Sequence, residues 1–223
     1  MEVVGVDGCR RGWVAVHLRD GRWLRAGLHP DLSCVLKDTS AHVVAVDIPM
    51  GLLADGARAC DGRIRGLLGP RANSVFPTPP RGVVQVEDFE TANRLCRRLT
   101  GRGLSRQTFA LFPKIREVDA LRGEWGDRLY EVHPELSFRA MAGAPLRSGK
   151  RTWNGQALRM RLLADEGIVA PEDLAEAGEV PVDDVLDAAA AAWTAARIAA
   201  GRAHTCPDRP ERDERGGPIA IWY

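Results

Sequence analysis

Apolar and polar positions alternate along this chain with two different periods. Val3-Val4-Gly5-Val6 is a short apolar run that stops at Asp7, and Gly12 to Leu18 is a second. Asp20-Gly21 then supplies the two-residue signal for a tight hairpin into Trp23 to Leu28, so a three-stranded meander is expected. Leu32, Val35 and Leu36 follow at the spacing of one helix face. A further buried-looking run, Val43-Val44-Ala45-Val46, ends at Asp47 and is stopped by Pro49 and Gly51. From Ala57 to Arg81 the periodicity dissolves into a short helical piece and a loop rich in proline and glycine (Pro70, Pro77, Pro79, Pro80, Gly82). Helical spacing returns over 87–100 and 105–121, and Leu129 to His133 reads as a short strand closed by Pro134. Residues 135–141 and 156–164 are again helical in pattern, and the alanine-rich stretch 182–200 is the strongest helix signal in the chain. Pro218 to Tyr223 is expected to add a final edge strand. Hairpins first and helix-linked strands afterwards predict an α/β fold, a mixed sheet with helices on both faces. The expected organisation is one domain over 1–223 with a long Arg/Pro-rich insertion, roughly 52–125, between the fourth and fifth strands.

Composition narrows the class. The chain has 223 residues, 45% hydrophobic and 27% charged, with a mean hydropathy of −0.21, which excludes disordered and collagen-like proteins. No run approaches the ~18 apolar residues of a membrane span, and Met1 leads straight into a strand-like run, so a cytoplasmic protein is expected. Five separated cysteines suggest neither a disulfide framework nor a structural zinc site.

The net charge of +1 conceals two opposed blocks. Arg58 to Arg116 carries twelve basic residues against four acids, whereas Asp165 to Asp187 carries nine acids and no Lys or Arg. Of the 31 basic residues, 28 are arginines, whose planar fork suits phosphate; the lysines are Lys37, Lys114 and Lys150. A basic surface attracting a polyanion, with carboxylates elsewhere gathering a cation, accounts for the separation.

The candidate chemistry lies at the ends of these runs. Two strands end in aspartate, Asp7 and Asp47, and open α/β sheets bind ligands at that carboxyl edge. Either residue alone also reads as a turn cap. Glu131 and His133 share one face of their strand, with Val132 on the other. Asp183, Asp184 and Asp187 open the alanine-rich helix, and their spacing puts at least two carboxylates on one face. Oxygen ligands of this type suit Mg²⁺ or Mn²⁺, and a pair of such ions clamps the oxygens of a phosphodiester during in-line displacement.

These motifs resemble the RNase H-like fold, and the late Asp184-x-x-Asp187-Ala188 is similar to the helix signature of bacterial Holliday-junction resolvases. More closely, the chain resembles the domain-of-unknown-function family 429, a predicted nuclease family. The matching segments are Gly5-Val6-Asp7-Gly8-Cys9-Arg10 with Gly12-Trp13, Val46-Asp47-Ile48-Pro49, Cys60-Asp61 through Leu68-Gly69-Pro70-Arg71 to Ser74-Val75-Phe76, Pro113-Lys114-Ile115-Arg116-Glu117-Val118-Asp119, Glu131-Val132-His133-Pro134-Glu135 and Asp184-Val185-Leu186-Asp187-Ala188. The resemblance implies a five-stranded sheet in the order 3-2-1-4-5. It implies metal ligation by Asp7, Asp47, Glu131 and Asp184 or Asp187.

Together these readings predict a Mg²⁺- or Mn²⁺-dependent nuclease in which Asp7, Asp47, Glu131 and Asp187 are catalytic and nucleic acid, DNA or RNA, is the partner. Arg71 and Arg81, flanking the proline-rich loop, are the expected phosphate contacts, with Lys114 and His133 also placed at the substrate. Two other classes fit the same residues: a non-catalytic nucleic-acid-binding or scaffold domain, and a small-nucleotide phosphohydrolase. Gly143 to Lys150 looks like a phosphate-binding loop, but it has five residues between its glycines and Arg151 where Ser or Thr is needed. Six tryptophans, among them Trp153, could stack bases, although most suit a core.

Overall fold

The computed structural model describes residues 1–223. Its centre is a five-stranded sheet in the order β3-β2-β1-β4-β5. Strands β1 (Glu2–Cys9), β2 (Gly12–Arg19) and β3 (Arg22–His29) form the antiparallel meander. Asp20 and Gly21 both have positive φ, as the tight hairpin turn requires. After α1 (Leu32–Lys37), β4 (Val44–Val46) pairs parallel to β1, and β5 (Leu129–Glu131) pairs parallel to β4.

Between β4 and β5 lie α2 (Ala59–Leu68), α3 (Arg81–Val84), α4 (Phe89–Thr100), α5 (Arg106–Ala110) and α6 (Phe112–Trp125). The helix expected over 105–121 is two helices. Pro113 lacks the N–H needed to continue the first, and instead opens the second, where no such donor is required. The chain continues through α7 (Pro134–Ala142), α8 (Trp153–Asp165) and α9 (Val182–Ala199). It closes with β6 (Thr205–Arg212) and β7 (Pro218–Trp222). The expected final edge strand is therefore half of a separate two-stranded ribbon, joined to the main sheet by a single bridge between Val132 and Trp222. No helix is long and apolar enough to cross a membrane.

Strand alternation divides the core between two faces. Val4, Val6, Val44, Val46 and Leu129 pack with Leu36, Val84, Ile115 and Val118 of the helices on one side. Val3, Val14, Val16 and Ala45 pack with Phe138 and the buried alanines of α9 on the other. α9 approaches β1 at Gly5, where a side chain would meet helix backbone: an added Cβ would lie 1.9 Å from the Ala192 nitrogen and 2.2 Å from the Ala188 oxygen. Small residues on both elements thus let the helix lie directly on the sheet, with its N-terminal acids at the edge where β1 and β4 end.

Candidate active site

Two strands and one helix bring three aspartates together: Asp7 lies inside β1, which continues to Cys9 and not to a stop at Asp7 as expected, and Asp47 follows the last residue of β4. Gly5 pairs with Ala45 and Val6 with Val46 in parallel register, and the Asp47 amide donates to the Val6 carbonyl (2.9 Å). Asp7 lies two residues beyond Gly5 and Asp47 two beyond Ala45, so both occupy the sheet face covered by α9. There they meet Asp187, which is only 2% exposed. Asp7, Asp47 and Asp184 line a cleft of about 330 Å³ with His133, Lys114 and Lys150.

The electrostatics record the crowding. Burial raises the Asp7 carboxyl well above its usual range, and the charges of Asp47 and Asp187 add to the rise. Burial lifts Asp47 to about 7 against the opposing pull of Lys150. Asp187 is likewise held at about 7 by burial, with Lys150 lowering it and Asp47 raising it. Burial and neighbouring Asp183 raise Asp184 as well. The cation present is Lys150, whose ammonium donates to Asp187 Oδ2 (2.5 Å) and lies 3.6 Å from Asp183. Burial works against the charge on Lys150, but Asp187, Asp7 and Asp47 raise it.

No three of the His, Cys, Asp and Glu side chains converge closely enough to form a ready ligand set for a metal ion. The donor chemistry nonetheless fits a hard divalent cation. Asp187 Oδ1 is buried without a hydrogen-bond partner, and three mutually repelling carboxylates face one ammonium. His133 also lies beside the cluster. Its Nδ1 is buried without a partner, its Nε2 is 3.4 Å from the Ser74 carbonyl, and burial lowers it toward the neutral form.

Glu131 lines the same cleft, with Arg58 and Asp61, but stands apart from the three aspartates. It pairs with Val46, on the sheet face opposite Asp7 and Asp47. Its carboxylate takes two hydrogen bonds from buried Arg58, 2.7 Å each, and a third from the Met50 amide at 2.6 Å. Arg58 also pairs with Asp61, which accepts from the Thr78 amide (2.8 Å), so the network ties α2 and the proline-rich loop to the sheet. Every Glu131 oxygen is engaged by Arg58 or Met50, so the residue expected among the ligands is held in this structure by a buried ion pair at the cleft wall.

The expected phosphate contacts separate in the same way. Arg81 is held by Asp119, with Asp213 and Glu214 within 4 Å, and does not reach the cleft. Arg71 is bound to Glu135 (3.2 Å). Lys114 lines the cleft, but its ammonium donates to the Gly12 carbonyl (2.6 Å) and lies over the Trp13 ring at 4.1 Å. Glu117 accepts from Trp13 Nε1 at 3.0 and 3.2 Å, so it braces the meander instead of meeting substrate.

Lys150 and Glu135 were not among the expected site residues; Glu135 read as a first-turn helix carboxylate. Glu135 is buried, gripped at both oxygens by fully buried Arg159 (2.7 Å each), and its charge reaches Asp47 and Asp187. Lys150 was legible only as one of three lysines, inside the stretch that looks like a phosphate loop.

Residues 5–212 match the family described as Protein of unknown function (DUF429). No curated protein and no solved structure matches the chain.

Proposed function

The chain belongs to the DUF429 family, whose description names no activity, and from the residues of its own cleft we propose a divalent-metal-dependent nuclease that hydrolyses phosphodiester bonds. One observation carries this reading: buried Asp7 and Asp187 and partly buried Asp47, from two strands and a helix, lie so close at the edge of the sheet that the charge of Asp47 raises both other carboxyls. The sheet order supports it, being the order that the nuclease resemblance implies.

Asp7, Asp47 and Asp187, with Asp184 at the cleft wall, would hold Mg²⁺ or Mn²⁺. Bound there, the ion supplies positive charge that stabilises the attacking and leaving oxygens of an in-line displacement. In the reaction a water oxygen forms a bond to phosphorus as the bond to the leaving sugar oxygen breaks, and the proton shed by the water is balanced by one gained at the leaving oxygen. His133, whose Nδ1 is unpartnered and which burial favours in its neutral form, would accept or return such a proton. Lys150 and Arg151, both on the cleft wall, supply cationic charge for the phosphate.

A cleft of about 330 Å³ also suits a mononucleotide, which keeps a small-nucleotide phosphohydrolase as the second reading. The test is a panel of labelled single-stranded, duplex and branched DNA and RNA, plus free nucleotides, incubated with Mg²⁺ or Mn²⁺. Wild-type protein is expected to cleave polymers and Asp7→Asn to lose at least two orders of magnitude of rate. Turnover of free nucleotides alone would move the assignment to the second reading, and cleavage that survives Asp7→Asn would remove the carboxylate mechanism.

A further inference from the structure

Five of the six tryptophans have assigned work inside the fold. Trp13 is fully buried under Lys114, Trp193 and Trp125 lie beside Arg197 and Arg128, Trp222 stacks edge-on against Tyr130, and Trp23 packs on the core. Trp153 is different. It is 81% exposed and has no ring, cation or hydrogen-bond partner.

Its position ties it to the cleft. Trp153 is the first residue of α8 and follows Lys150 and Arg151, which line the cleft wall. Three residues of chain span at most ~11 Å, a few nucleotide steps of ~3.4 Å. Ala157 and Met160 follow at helical spacing and are exposed too, Met160 at 46%, so the indole heads an uncovered apolar strip. The charge beside it is basic: the Arg151 side chain is 84% exposed with one long contact to Asp183 (3.5 Å), and Arg147 is exposed without an ion pair. A flat aromatic surface next to exposed guanidinium groups, two residues from the cleft-lining Arg151, matches a strand whose bases are unpaired. A protein partner would use the aromatic strip but leave the run of cations at the cleft wall without a purpose.

We propose that Trp153 is a base-stacking platform: a nucleobase of a single strand stacks on the indole while the backbone passes Arg151 and Lys150 into the carboxylate cleft. The proposal rests on the nucleic-acid reading above and adds that the substrate presents unpaired bases at this point. A base–aromatic stack is indifferent to sequence and requires a base free of its duplex.

The experiment measures binding apart from cleavage. A fluorescently labelled single strand and the duplex of the same sequence are titrated, in EDTA, with full-length wild type, Trp153→Ala and Trp153→Phe. The expected result is about tenfold weaker single-strand binding by Trp153→Ala, near-wild-type binding by Trp153→Phe, and unchanged duplex binding. Quenching of tryptophan emission by the single strand in wild type but not in Trp153→Ala further supports the proposal. Equal single-strand affinity for wild type and Trp153→Ala overturns the stacking role and leaves the nuclease reading standing. Failure of wild type to bind any strand overturns both. A wild-type dimer that becomes monomeric in Trp153→Ala overturns the proposal by assigning the strip to a second copy of the chain.

Discussion

Gly5 and Ala192 meet backbone to backbone: a Cβ on Gly5 would stand 1.9 Å from the Ala192 nitrogen. This contact sets the distance between α9 and the sheet, and therefore between Asp187 and the strand-end aspartates. Gly5→Ala is expected to destabilise the fold by about 3 kcal/mol or more, at the upper end for overpacked cores, because neither backbone can move aside alone. Urea unfolding checks this. A variant that stays folded should also lose cleavage, since the helix carries Asp184 and Asp187 outward with it.

Asp7 and Asp47 were legible as carboxylates following buried apolar runs, although only β4 stops there: β1 continues past Asp7 to Cys9, because it keeps pairing with β2 after its pairing with β4 has ended. Glu131 was not, for a reason of parity. A period of two predicts that Glu131 and His133 share a face, but β5 ends at Glu131 and His133 already caps α7, so the alternation does not carry through; nor can it say which face α9 covers, which only the pairing of Val46 with Glu131 decides. Arg58, which occupies Glu131, lies 73 positions away in the chain, and no local pattern connects them. β6 was missed because Thr205–Arg212 carries two prolines and four charges. It becomes a strand by pairing with the apolar Ile219 and Ile221 of β7. The arginine-rich insertion was correctly seen as basic. Yet Arg58, Arg71 and Arg81 are held by internal acids, while Arg94, Arg97 and Arg98 of α4 remain exposed.

The separate placements of Glu131 and Asp7 give them opposite mutational signatures. Arg58→Met leaves Glu131 and Asp61 buried without a counter-charge and should cost about 3–5 kcal/mol. Glu131→Gln strands the Arg58 guanidinium and should be destabilising as well, and the double variant should lose less than the sum of the two. Asp7→Asn instead removes a buried carboxyl whose ionisation burial, Asp47 and Asp187 oppose, so its melting temperature should equal or exceed that of wild type while cleavage is lost. Thermal melts of the four variants beside wild type settle the assignment. A Glu131→Gln protein as stable as wild type would return Glu131 to the functional group.

Acid lability should arise in part from His17. Its side chain is wholly buried beneath the meander, with Nδ1 3.1 Å from Glu2, Nε2 unpartnered, and Arg25 and Asp38 nearby. Burial lowers its pKa below the ordinary 6.5, with the Glu2 contact opposing that shift. The unfolded chain therefore binds the proton first: stability is full above about pH 6.5 and falls as the pH drops toward the folded-state value. Partly buried His29 and His133 shift the same way and add to the slope. His17→Gln should flatten the decline in melting temperature between pH 7 and pH 5, and an unchanged slope would remove His17 from the account.

Lys150 provides the sharpest test of whether the carboxylates are a cation site. Its ammonium is the counter-charge touching Asp187, and Asp7 and Asp47 both feel it. Lys150→Met leaves the methylene stem's packing largely in place but removes that charge. Without divalent ions the variant should be less stable than wild type by about 1–3 kcal/mol, the cost of leaving buried carboxylates unpaired. Mn²⁺ or Mg²⁺ should then raise its melting temperature more than that of wild type, because an ion that binds only the folded state stabilises by mass action and no longer competes with the ammonium. Differential scanning calorimetry across a metal titration reads both effects, and Asp7→Asn in the Lys150→Met background should abolish the metal-dependent gain. If the gain persists in that double variant, the ion binds elsewhere; if Lys150→Met shows no gain at all, the three aspartates are held by lysine for structure, and the metal-dependent mechanism loses its site.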